Sequence, residues 1–203
     1  MQPCDTPVAG VRPGIVVSLR KAELADVPAI ERLVRRAVLE VAMEEYPHQL
    51  LDEALNSPMA VDTELIADGT YFVAMAGEGS DARMAGVGGW SRRGTMHEGV
   101  RFSGRDAPDA AEAQSPPASG NGTATIRAFY VDPDYQRRGV AALLLSRCLA
   151  EACNSGFRRA ELVATLTGEK LYARAGFQTV ERLEAILPSG HAFPVVRMTR
   201  DLK

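Results

Sequence analysis

The run Ile126-Arg-Ala-Phe-Tyr-Val-Asp-Pro-Asp-Tyr-Gln-Arg-Arg-Gly-Val-Ala-Ala-Leu-Leu-Leu145 constrains this chain more than any other. It joins a strand-like segment to a helix-like one through a tight loop carrying Gln136-x-x-Gly139-x-Ala141. That order leaves backbone N–H groups unpaired at the start of a helix, where a diphosphate can sit. Gly139 has no β-carbon, so an anion can approach the main chain closely. Arg137 and Arg138 add side-chain charge. Two other phosphate signatures do not fit. No Gly-Lys-Ser/Thr occurs, and Gly86, Gly88 and Gly89 lack the Gly-x-Gly-x-x-Gly spacing.

The surrounding pattern predicts the rest of the fold. Ile15 to Leu19 reads as a strand. Asp26 caps a helix whose apolar positions are Val27, Ile30, Leu33, Val34, Ala37, Val38 and Val41. A second helical piece covers His48 to Asn56, between Pro47 and Pro58. Thr70–Ala76 and Arg83–Trp90 form a hairpin, Thr123–Val131 the next strand, and Gly139–Asn154 a helix stopped by Gly156. Arg159–Thr165 is another strand. Thr167 caps a short helix through Leu171, Tyr172 and Ala173, and a hairpin of Phe177–Leu187 with Ala192–Met198 ends the chain. Only the connection from strand 123–131 through helix 139–154 to strand 159–165 demands a parallel pair. The expectation is an α+β fold: a mixed, mostly antiparallel central sheet with one parallel βαβ unit and helices on both faces. Residues 1–13 read as a loose leader, and 14–203 as a single domain interrupted by a Gly/Pro/Ala-rich insertion at about 91–122.

Composition narrows the partners. A net charge of -3 argues against general nucleic-acid binding. No apolar run approaches a membrane span and no secretory leader is visible, so a cytoplasmic protein is expected. Cys4, Cys148 and Cys153 form no disulfide framework, and no metal site is expected. Cys148 and Cys153, five residues apart, should point to different helix faces.

On these residues the chain resembles the GNAT N-acetyltransferase superfamily. Val131-Asp-Pro-Asp-Tyr-Gln-Arg-Arg-Gly-Val-Ala141 is similar to that family's acyl-CoA-binding motif, and Leu171-Tyr-Ala-Arg-Ala-Gly-Phe177 to a later one. The resemblance is strongest over about 124–177 and implies acetyl-CoA (coenzyme A) as cofactor. Phe129, Tyr130 and Val131 would meet the pantetheine amides. Arg137, Arg138, Gly139, Val140, Ala141 and Ala142 would hold the pyrophosphate. Tyr172 matches the tyrosine that stands near the sulfur.

The implied reaction is direct transfer of an acetyl group to a primary amine, on a small molecule or a peptide N-terminus. A strand-edge N–H such as that of Val131 would steady the carbonyl oxygen. Tyr172 would protonate the departing thiolate. The general base stays unassigned among Glu44, Glu45, His48, His97 and Glu98. Glu44, Glu45 and Tyr46 are the residues expected to meet the acceptor. Trp90 either lines the same cleft or anchors the core. Glu161 reads as a paired structural carboxylate and His191 as an exposed turn residue. The insertion is either a lid or a dispensable loop. An exposed strand edge at the last hairpin would allow a homodimer. The competing reading is a non-catalytic acyl-CoA-binding sensor or scaffold.

Overall fold

The computed structural model describes residues 16–41, 47, 51, 55, 61–93, 101–102, 122–187 and 189–202. Among these residues eight strands form one sheet: β1 (Val17–Lys21), β2 (Tyr71–Ala76), β3 (Arg83–Ser91), β4 (Arg101–Phe102), β5 (Thr123–Val131), β6 (Arg159–Thr165), β7 (Gln178–Ile186) and β8 (Ala192–Asp201). Their spatial order is β1-β2-β3-β5-β6-β8-β7-β4. Four helices complete the described fold: α1 (Val27–Val41), α2 (Thr63–Ala67), α3 (Val140–Asn154) and α4 (Leu166–Arg174).

The sheet is mixed, as the single demanded crossover predicts, and β5–β6 is its parallel pair. That pairing runs only from Thr123 opposite Arg159 to Thr125 opposite Glu161. Beyond it, β5 continues to Val131 along β3, and β6 continues to Thr165 along β8. The two strands therefore diverge toward their carboxyl ends, the side on which ligands gather in parallel sheets.

Each face of the sheet is covered for a reason visible in the residues. On one face α3 buries Val140, Leu144, Leu145, Cys148, Leu149 and Ala152 against Phe72, Trp90, Ile126 and Leu162. On the other, α1 buries Ile30, Leu33 and Val34 against Tyr71, Val73 and Val87. A third cluster gathers Leu51 with Leu187, Phe193 and Val195. Truncating one fully buried leucine such as Leu144 costs ~2–5 kcal/mol, against ~0–1 kcal/mol for an exposed ion pair. Apolar packing therefore sets where the helices sit, and charge pairs refine it.

Several expectations need correction. Burial of Cys148 and Cys153 is not among them: both lie in the core cluster as small apolar side chains. The cap of α4 is Thr165, whose hydroxyl accepts from Gly168 N at 3.2 Å, so the helix starts earlier than a Thr167 cap implies. Helix α2, capped by Asp62 through Leu65 N at 3.2 Å, has no counterpart in the expected order. Nor has β4, which pairs inside the 91–122 insertion with Ala185 and Ile186 of β7. Strand β4 thus covers one end of the β7 edge of the β7–β8 hairpin. The leader and most of the insertion lie outside the described residues, and the 48–56 helical piece is represented there only by Leu51 and Leu55.

Candidate active site

At the carboxyl end of β5 the chain turns sharply. Asp132, buried, accepts a hydrogen bond from Asp134 N at 3.0 Å and one from Arg36 Nη1 of α1 at 2.8 Å. Its own N–H donates to Ala85 O of β3 at 3.0 Å. Asp132 thereby fastens the turn to the sheet and to α1. A 3-10 turn at Pro133–Tyr135 follows, then extended Gln136. Arg137 has φ 56° and Gly139 φ 90°, two left-handed positions flanking Arg138. The first helical bond of α3 runs from Leu143 N to Gly139 O at 2.9 Å. Among the described residues, no acceptor takes the amides of Arg137 to Ala142. The side chains of Arg137 and Arg138 are exposed and have no carboxylate partner there. Free amides, a helix start and two guanidinium groups make an anion cradle.

Tyr172 stands across the gap between β5 and β6. Its ring meets Phe129 of β5 edge-on at 6.3 Å and Phe177 at 5.9 Å. Phe129 in turn lies so close to Gly88 of β3 that a β-carbon there would come within 2.7 Å of the ring. The missing β-carbon of Gly88 is what makes room for the Phe129 ring. Burial pushes the Tyr172 hydroxyl well above the usual tyrosine range, with smaller contributions from Cys148 and Tyr130. Burial, then the charge of Asp62, raises Tyr130 to about 12. The Cys148 thiol is likewise raised, chiefly by burial. All three groups keep their protons at neutral pH.

Strand β5 is irregular where it faces this gap. Val87 pairs with Tyr130 but Gly89 pairs with Arg127, so β5 carries one extra residue opposite Gly88. Ala128, at that bulge, has φ 58°. Arg127 beside it is almost wholly buried and pairs through Nε with Asp62 at 2.7 Å and through Nη2 with Glu64 at 3.4 Å. These pairs tie α2 to the bulge. Sequence reasoning missed Arg127 and Asp132, whose partners lie far away in the chain.

The remaining candidates separate. Trp90 is fully buried, edge-on to Phe157 at 5.6 Å, so it belongs to the core and lines no cleft. Its ring is needed to fill the layer between sheet and α3. Glu161 pairs with Arg197 at 3.0 Å, and Arg197 with Glu181 at 3.0 Å, in keeping with a structural carboxylate. His191 is exposed at the β7–β8 turn, with Nδ1 2.8 Å from Ser189 Oγ. Glu44, Glu45, Tyr46, His48, His97 and Glu98 lie outside the described residues. No His, Cys, Asp and Glu cluster among the described residues has the makings of a metal site. No described helix is long and apolar enough to cross a membrane.

Known proteins share this architecture. A GCN5-related N-acetyltransferase from Rhodopseudomonas palustris superposes with a TM-score of 0.63 at 15% identity, covering 91% of this chain and 95% of its own. The PaiA N-acetyltransferase of Thermoplasma acidophilum, solved with coenzyme A, gives 0.60 at 12% identity and covers 92% and 99%. YncA of Salmonella typhimurium, solved with its cofactor acetyl-CoA, gives 0.56 at 19% identity and covers 93% and 95%. At such identities the likeness establishes the fold. No curated protein sequence matches this chain significantly. The family model for the acetyltransferase (GNAT) domain matches residues 68–179, more than half of the chain and the whole of the cradle, the bulge and Tyr172. The chain belongs to the GNAT acetyltransferase family.

Proposed function

We propose that this protein is an N-acetyltransferase that moves the acetyl group of acetyl-CoA to a primary amine by direct attack in a ternary complex. The acceptor is a small molecule or a peptide N-terminus. The observation that carries the reading is the run of amides from Arg137 to Ala142, left without acceptors among the described residues at the start of α3. They would take the pyrophosphate, with Arg137 and Arg138 supplying charge and Gly139 to Ala142 the close approach. Coenzyme A is bound by the Thermoplasma acidophilum neighbour and acetyl-CoA by the Salmonella typhimurium one.

The open edge of β5 at Phe129, Tyr130 and Val131 would then run beside the pantetheine arm. A neutral amine attacks the thioester carbonyl, and the C–S bond breaks as the C–N bond forms. Charge that develops on the carbonyl oxygen is met by a strand-edge N–H of β5. Tyr172, which burial keeps protonated, would give a proton to the departing sulfur and recover one from solvent. The new ammonium gives its extra proton to a base on the acceptor side.

Two assays test this. Calorimetry reads whether acetyl-CoA binds, and thiol release with a panel of amines reads turnover. Binding with turnover supports the proposal. Saturable binding without thiol release from any amine would favour a binding module instead.

A further inference from the structure

We infer that Tyr71 is a positioning residue for the cofactor-facing edge of β5, holding the Ala128 bulge in the shape that presents Phe129 to Val131. The inference rests on the acetyl-CoA reading above. Tyr71 opens β2 and is completely buried. Its hydroxyl donates to the carbonyl oxygen of Ala128 at 3.2 Å, two strands away. To get there the ring must cross β3, and it crosses at Gly89. A β-carbon on Gly89 would come within 2.8 Å of Tyr71 Cδ2 and of Leu65 Cδ1. On the opposite face, Gly88 makes the same allowance for Phe129. The adjacent glycines of β3 thus admit one aromatic ring from each side of the sheet, and both rings bear on the same bulge.

The hydroxyl answers a definite cost. Ala128 sits at φ 58°, a conformation that L-residues other than Asn and Asp rarely hold without outside support. The extra residue also reverses, from Phe129 onward, which main-chain groups face β3 and which face the gap. If the bulge relaxes, the groups offered to the pantetheine arm turn away. A buried tyrosine hydroxyl aimed at that carbonyl is the one side-chain donor that Ala128 has among the described residues. Burial raises its pKa well above the ordinary value, so it remains a donor throughout the neutral range.

The test compares wild type, Tyr71→Phe, and Tyr71→Phe combined with Ala128→Gly. Acetyl-CoA affinity is read by calorimetry, and backbone hydrogen exchange over 126–131 by mass spectrometry without cofactor. Tyr71→Phe keeps the ring and should speed exchange across the bulge. It should weaken acetyl-CoA about fivefold, the net worth of one ordinary hydrogen bond. Ala128→Gly should restore affinity to within about twofold, because glycine holds a positive φ without help. Unchanged affinity in Tyr71→Phe overturns the inference. So does weakened affinity that glycine at 128 fails to restore, which would point to general destabilisation. A wild type that binds no acetyl-CoA overturns the cofactor reading itself, and that result appears before any variant is made.

Discussion

Residue 139 must hold a φ of 90° for α3 to begin where it does. Gly139→Ala forces a β-carbon into the left-handed region at a cost of ~1–2 kcal/mol. It should lower both the melting temperature and acetyl-CoA affinity, since the amides that follow turn with the backbone. Thermal unfolding and calorimetry read the two effects. At Tyr172 the expectation is different. Tyr172→Phe leaves the ring contacts to Phe129 and Phe177 intact, so acetyl-CoA should bind as in wild type while kcat falls about 10²-fold, the low end of general-acid contributions. Because burial raises its pKa, the wild-type kcat profile should show no descending limb from Tyr172 up to about pH 10, where an unperturbed tyrosine titrates. Gly139 is singled out in the sequence by its loop pattern, and Tyr172 only by the family resemblance. Arg127, Asp132 and Tyr71 are not singled out. Their meaning comes from Asp62, Arg36 and Ala128, which no local spacing connects to them. Trp90 is ambiguous for the opposite reason: one large aromatic at a strand end suits a core and a cleft equally well until the fold decides.

Among the elements, the long ones follow from periodicity and the short ones do not. Helices α1 and α3 each run for 15 residues, long enough for their apolar stripes to declare themselves. Helix α2 has 5 residues and β4 has 2, too few to display any period. Two junctions between elements carry predictions. Asp132 closes the turn after β5 and receives Arg36 from α1, so Asp132→Ala should destabilise the protein by about 1–2 kcal/mol, the usual cost of losing a side-chain cap. Urea unfolding measures it. At the other end of α1, Asp26 receives both Nη1 and Nη2 of Arg20 at 2.7 Å, and Glu23 N at 2.8 Å. The Arg20 bonds, aided by Glu23 N and opposed by partial burial, hold its carboxyl below the usual range. A carboxyl depressed in the folded state contributes stability above its unfolded pKa and loses it as pH falls through the folded one. Wild type should therefore exceed Asp26→Asn in stability above about pH 4, and the gap should close on further acidification. Parallel urea titrations across that range check the sign.

For the whole molecule, the decisive feature is the divergence of β5 from β6 after Thr125 and Glu161. The single parallel pair is readable from strand and helix lengths, and with it the side of the sheet that a ligand favours. How far that pair stays zipped is not readable, because Ile126–Val131 and Leu162–Thr165 are as strand-like as the residues before them. What separates them is three-dimensional: β5 keeps its pairing with β3 while β6 pairs along its length with β8, and Phe129 and Tyr172 meet edge-on where the two strands part. The family match covers this region, and the arrangement assigns a separate task in the proposed chemistry to each element of the site. In that proposal the turn would grip phosphates, the open strand would align the thioester, and Tyr172 would return a proton to the sulfur. All of it depends on the amides of Arg137 to Ala142 being free to bind. Calorimetric titration of acetyl-CoA into the wild-type protein tests this most directly. Saturable heat at one cofactor per chain, weakened in Gly139→Ala, is the predicted result. No heat, or binding indifferent to Gly139→Ala, would contradict it.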